Sequence, residues 1–179
     1  MFLARIRFLL VLIFLGLGIW LHVVKGIGAA WYLYVAAMIL LLVHFLFSNV
    51  SAAFVLLRRG KLDQAEQLID RIKKPEWLLT RHKAYYHFTK GMIAAQRNVP
   101  EEAKTDLSRA LDIGLRTATD NALAALNIAN IAFKGDDRTT ARTFVDRAKS
   151  FNSSDLVIKE HLERLDALLT NGQPRTSSL

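Results

Sequence analysis

Five histidines and sixteen carboxylates are the side chains of this sequence with the chemistry for proton transfer or metal binding, and their spacing suits neither. His82 and His87 are five residues apart, which on a helix sets their rings about 140° from one another and makes them a poor chelating pair. Glu160-His161 has no second histidine one turn away. His22 and His44 lie in apolar runs on either side of a turn near Ile27, ~8 Å and ~25 Å from it along a helix. At such different levels they cannot clasp one haem iron between them, and each reads as an interfacial or interhelical hydrogen-bonding group. With no cysteine, thiolate ligands, disulfides and a cysteine nucleophile are excluded. A phosphate-cradling glycine loop, a serine elbow, the paired-histidine zinc motif and a paired-carboxylate arrangement are missing as well. The expectation is a protein that is not an enzyme, with no cofactor, no metal and no small-molecule substrate.

Binding chemistry has better candidates. Asn127, Asn130 and Lys134 are spaced i, i+3, i+7 and share one face of a helix. Asparagine is a mediocre helix former, so two on one stripe suggest amides kept available for a partner's backbone. The corresponding stripe one unit earlier offers Tyr85, Thr89, Met92 and Gln96. These seven residues form the candidate partner-binding set. Arg81-His82-Lys83, with Tyr85, Tyr86 and Phe88, mixes bases and aromatics in a way that resembles single-strand stacking. An amphipathic helix packing its aromatics inward explains the same run more simply. The polar part of the chain intersperses both charge signs, so no nucleic-acid partner is expected.

The elements that hold these side chains follow from an internal repeat. Gly60-Lys61-Leu62-Asp63-Gln64-Ala65 aligns with Asn98-Val99-Pro100-Glu101-Glu102-Ala103 and with Asp136-Asp137-Arg138-Thr139-Thr140-Ala141, each step being 38 residues. Every block opens on a residue tolerant of the left-handed backbone and reaches an alanine five positions on. The register continues through Ile69, Leu107 and Val145, then Ile72, Ala110 and Ala148. Apolar positions at i, i+4 and i+7 mark an amphipathic helix after each turn. Helices before the turns are expected over roughly Ser48–Arg59, Trp77–Arg97 and Ala118–Lys134, with Ala53, Gly91 and Ala129 at matching small positions. A further helix from about Ser154 to Leu169 places Ile158, Leu162, Leu165 and Leu169 on one stripe, as a cap requires.

This pattern resembles the tetratricopeptide repeat, over about Ser48 to Phe151. Gly91 and Ala129 match its small first-helix position, Gly60, Asn98 and Asp136 its turn, and Ala103-Leu107-Ala110 and Ala141-Val145-Ala148 its second helix. The period exceeds that family's ~34 residues by about one helical turn. The proline expected at the end of each unit is replaced by Leu115 and Ser153, and no tryptophan holds the first-helix position. The resemblance implies a curved stack of helix pairs whose first helices line a concave groove for an extended peptide.

The N-terminal third is different material. All sixteen carboxylates lie from Asp63 onward, and only Arg5, Arg7 and Lys25 carry charge before Arg58. Residues 8–24 and 29–47 read as two membrane spans joined at Lys25-Gly26-Ile27-Gly28. Trp20, Trp31, Tyr32 and Tyr34 flank that turn as an interfacial belt would. Arg5 and Arg7 before the first span, and Arg58, Arg59 and Lys61 after the second, place both termini in the cytoplasm. Gly28-Ala29-Ala30 also fits a cleavage site for a signal peptide, an alternative that leaves the C-terminal part cytoplasmic.

The whole reads as an all-α protein: a transmembrane helical hairpin (1–47) continuing into a tetratricopeptide-like α-solenoid of about three helix pairs with a capping helix (48–170), then a disordered tail (171–179). The expected role is a membrane-anchored adaptor or scaffold in a bacterial inner membrane, binding a protein or extended peptide on the cytoplasmic side, in the assembly of a membrane complex. Its partners are that protein and the lipid bilayer. The alternative is a structural accessory subunit of a transport or secretion machine.

Overall fold

The computed structural model describes residues 2–171, with side chains over 9–40 and 49–170. The side chain of His44 and residues 172–179 of the expected tail lie outside the described residues, whereas Asn171 ends the last helix. The described chain is all α, with no strand. Its order is α1 (Phe2–Lys25), α2 (Ile27–Arg58), α3 (Leu62–Asp70), a 3-10 turn (Pro75–Trp77), α4 (Thr80–Gln96), α5 (Pro100–Ile113), α6 (Ala118–Lys134), α7 (Arg138–Ser150) and α8 (Leu156–Asn171).

Helices α1 and α2 form a hairpin turned at Gly26, whose φ of 82° suits a residue without a Cβ. One seam is buried, through Val11, Ala30 and Ala37, with Gly18 against the Tyr34 ring. The remaining faces expose Leu9, Leu12, Ile13, Ile19, Trp20, Val24, Trp31, Met38 and Ile39. Among the described residues no helix is long and apolar enough to cross a membrane. This corrects the expectation of two spans over 8–24 and 29–47, and with it the integral two-span placement.

Helix α2 runs unbroken from the hairpin turn to Arg58, so the hairpin and the first helix pair share one element. The chain then reverses three times with the same backbone device. Gly60, Asn98 and Asp136 have φ of 72°, 60° and 58°. Their amides donate to the carbonyls of Leu57, Ala95 and Phe133, and the next amides (Lys61, Val99, Asp137) to Leu56, Ala94 and Ala132. Each turn thus closes the last carbonyls of one helix with the paired bonds of a Schellman cap. The 38-residue period is therefore a period in backbone conformation.

Packing follows the same register. Ala65, Ala103 and Ala141 are fully buried, as are Leu107 and Val145, with Ile69 nearly so. Small side chains there let the helices of a pair approach closely. At the tightest crossing, a Cβ on Gly91 would lie 2.8 Å from Leu107 Cγ and 2.9 Å from its backbone nitrogen. The main core joins α4 through α8, and a second cluster of Ala53, Leu57, Ala65, Ile69 and Ile93 seals α2 and α3 onto α4. Asp155 caps α8 by accepting from the amides of Val157 and Ile158. Ile158, Leu162, Leu165 and Leu169 all bury their side chains against the core. Helix α4 starts later than expected, because Pro75 opens a separate 3-10 turn on which Trp77 stays exposed under the Lys74 ammonium.

Candidate functional site

The two stripes singled out in the sequence occupy equivalent positions of α4 and α6: Tyr85, Thr89, Met92 and Gln96 precede Leu123, Asn127, Asn130 and Lys134 by 38 residues each. Their environments differ. Lys134 and Gln96 are exposed, and Asn127, Asn130 and Met92 are half-buried. Asn127 donates its side-chain amide to the Leu123 carbonyl at 2.8 Å, which leaves its side-chain oxygen to accept from a partner. Met92 packs against both core clusters.

Thr89 does not line an open groove, and Tyr85 is half-buried and engaged by its neighbours. Tyr85 donates a 2.6 Å hydrogen bond to Asp120, tying α4 to the first turn of α6. Burial and that hydrogen bond, with the Asp120 charge, push its pKa up to about 12. Its ring sits in an aromatic group with Phe54 and Phe88, at centroid distances of 5.1 Å and 6.3 Å. Thr89 is fully buried and its hydroxyl has no hydrogen-bond partner among the described residues. Thr89 belongs to the packing beneath the surface, whereas Tyr85 is half-buried. A polar residue on a helix stripe reads as exposed, but neighbours on both sides of α4 close over it.

The register also brings in a residue the sequence reading passed over. Counting back 38 from Gln96 gives Arg58, exposed at the end of α2, with its guanidinium 5.7 Å from the Phe54 ring centroid. Arg58, Gln96 and Lys134 therefore hold one register position on three first helices, a column with no carboxylate in it. The repeat was the signal that could have found it.

A second omission is the polar group between α4 and α5. His87 and Asp106 are both buried, with Nδ1 and Oδ1 2.7 Å apart, and Lys90 Nζ lies 3.3 Å from the other carboxylate oxygen. Burial alone would raise the Asp106 pKa. The His87 hydrogen bond and the Lys90 charge outweigh it and hold the carboxyl below the usual range. The Tyr86 ring meets His87 edge-on at 5.2 Å. A cleft of about 250 Å³ opens beside the group, lined by Lys90, Glu101, Glu102, Thr105, Asp106 and Arg109. His22, the other described histidine of the apolar runs, lies 3.3 Å from the Tyr34 hydroxyl. Among the described residues no three His, Asp or Glu side chains are grouped so as to hold a metal ion.

Compared with protein-family models, with curated proteins and with solved structures, the chain finds no match. The resemblance to the tetratricopeptide repeat is corrected accordingly: the molecule is all-helical and no family of that repeat is identified. The extra helical turn per unit and the missing proline and tryptophan are where the chain departs from that repeat's pattern. What stands is an all-α chain whose helix-to-helix turns recur every 38 residues.

Proposed function

We propose that this protein is a non-catalytic adaptor that binds a partner protein or an extended peptide along the first helices of a solenoid-like stack of helix pairs. The observation that carries the reading is the strip of Arg58, Gln96, Asn127, Asn130 and Lys134, exposed or half-buried on three successive first helices. Amides and long cationic side chains at a regular interval suit an extended main chain, whose carbonyls and amides also recur at a regular interval. Such a strip adds nothing to the core, which is formed by the other faces of α4 and α6.

One observation favours a second reading. The hairpin exposes large apolar side chains on more than one face, and contiguous apolar surface of that kind marks an association site. In that reading the chain is a structural accessory subunit, with the hairpin packed into a larger assembly and the helix pairs bracing it. Substitution separates the two. R58A/N130A/K134A should abolish partner binding if the strip is the site, while I13S/M38S/I39S on the hairpin should leave it intact. The reverse outcome would establish the bracing subunit and reject the adaptor.

A further inference from the structure

We infer that His87, Asp106 and Lys90 make the α4–α5 pair an acid-labile joint, the one place among the described helix pairs where a buried titratable couple replaces apolar packing. The three units supply an internal comparison. At the position of His87 the other units have Asn49 and Ala125, at that of Asp106 they have Leu68 and Phe144, and at that of Lys90 they have Ala52 and Ile128. Ala125 and Ile128 are fully buried, and Phe144 packs against the core. The same turn geometry and the same buried alanines are thus reached in the third unit without any polar group at these positions. The fold does not need the couple, and buried ion pairs are commonly no more stabilising than the apolar side chains that could replace them. What the couple adds is dependence on protonation.

The sign follows from the geometry. Asp106 is ionised and doubly bonded in the folded state, whereas in the unfolded chain it titrates near ~3.9. Its contribution is complete above that value and is lost as pH falls through its lowered folded pKa. A protonated Asp106 loses the Lys90 attraction and leaves His87 facing a neutral acid in a buried site. The charged groups facing the couple are few. Lys90 and Tyr86 come from α4, Glu101, Glu102 and Arg109 from α5 along the adjoining cleft, and Asp70 at the end of α3 and Glu76 in the 3-10 turn act on Tyr86. Acid-sensitive contacts elsewhere are half-buried or exposed, the half-buried ones including Asp120, which accepts from Tyr85 between α4 and α6. Asp137 caps α7 through Thr140, and Asp166 pairs with Lys149 and Arg142. Screening makes each of those worth less than a buried contact.

Amide hydrogen exchange on the full chain, converted to protection factors from about pH 6 to about pH 3, tests the joint. Protection in α4 and α5 should fall at least about threefold further than in α6 and α7. Asp106→Asn keeps the shape and the acceptor for His87 but does not titrate, so the excess fall should disappear. H87A/D106F, which copies the third unit, should remove it too. An equal fall in both pairs, or an excess that persists in Asp106→Asn, would overturn the inference.

Discussion

Three side chains of α4 show how much depends on single atoms. At Gly91 a methyl group would meet Leu107 at 2.8–2.9 Å, including a backbone nitrogen that cannot rotate away. Gly91→Ala should therefore cost about 1–3 kcal/mol of overpacking, read as a lower urea midpoint with an unchanged slope. Thr89 sits fully buried with an unpartnered hydroxyl. Thr89→Val keeps the shape, removes the orphaned group and should gain about 1 kcal/mol. Because Thr89 is inside, that variant should also leave partner binding unchanged; weakened binding would return Thr89 to the site. Tyr85→Phe should lose about 1 kcal/mol with the hydrogen bond to Asp120, detectable in the same unfolding experiment.

At the scale of elements the turns carry the architecture. Asn98 holds a left-handed conformation that glycine adopts freely, as Gly60 does in the first unit. Asn98→Gly should be neutral or slightly stabilising, whereas Asn98→Ala should cost about 1 kcal/mol, since a Cβ without a compensating polar side chain is strained there. Thermal unfolding of the pair decides it, and equal midpoints would mean that the turn is not under conformational selection. These turns were legible in the sequence because left-handed residues and buried alanines recur together. The α6 helix was expected over Ala118–Lys134 and occupies those residues. Other features were hidden by the same rule that made these visible. Periodicity assigns polar residues to the surface, so Thr89 and Tyr85 read as groove residues and Asp106 drew no notice. The burial of Thr89 and Asp106 and the half-burial of Tyr85 come from neighbouring helices, which a single-helix pattern does not contain. The membrane spans were read from an uncharged run, and among the described residues no helix is long and apolar enough to cross a membrane.

For the whole molecule, two surfaces compete to define its role: a polar strip crossing three first helices, and an apolar hairpin that buries one seam of its own. The strip is the better candidate for selective recognition, because hydrogen-bonding groups at a fixed register discriminate among partners where an apolar surface does not. The hairpin shares α2 with the first helix pair, so a load on one is transmitted rigidly to the other. That coupling is what an adaptor needs to hold a client in a defined orientation.

The central claim is that a partner lies along Arg58, Gln96, Asn127, Asn130 and Lys134. A photo-activated cross-linking residue placed in the full chain at position 96, 130 or 134, and as controls at 105 and 143 on the outer faces of α5 and α7, measures this directly. The adaptor reading predicts adducts of one defined mass at the three strip positions and none at the controls. Adducts that form equally at 105 and 143, or only from positions on the hairpin, would contradict it.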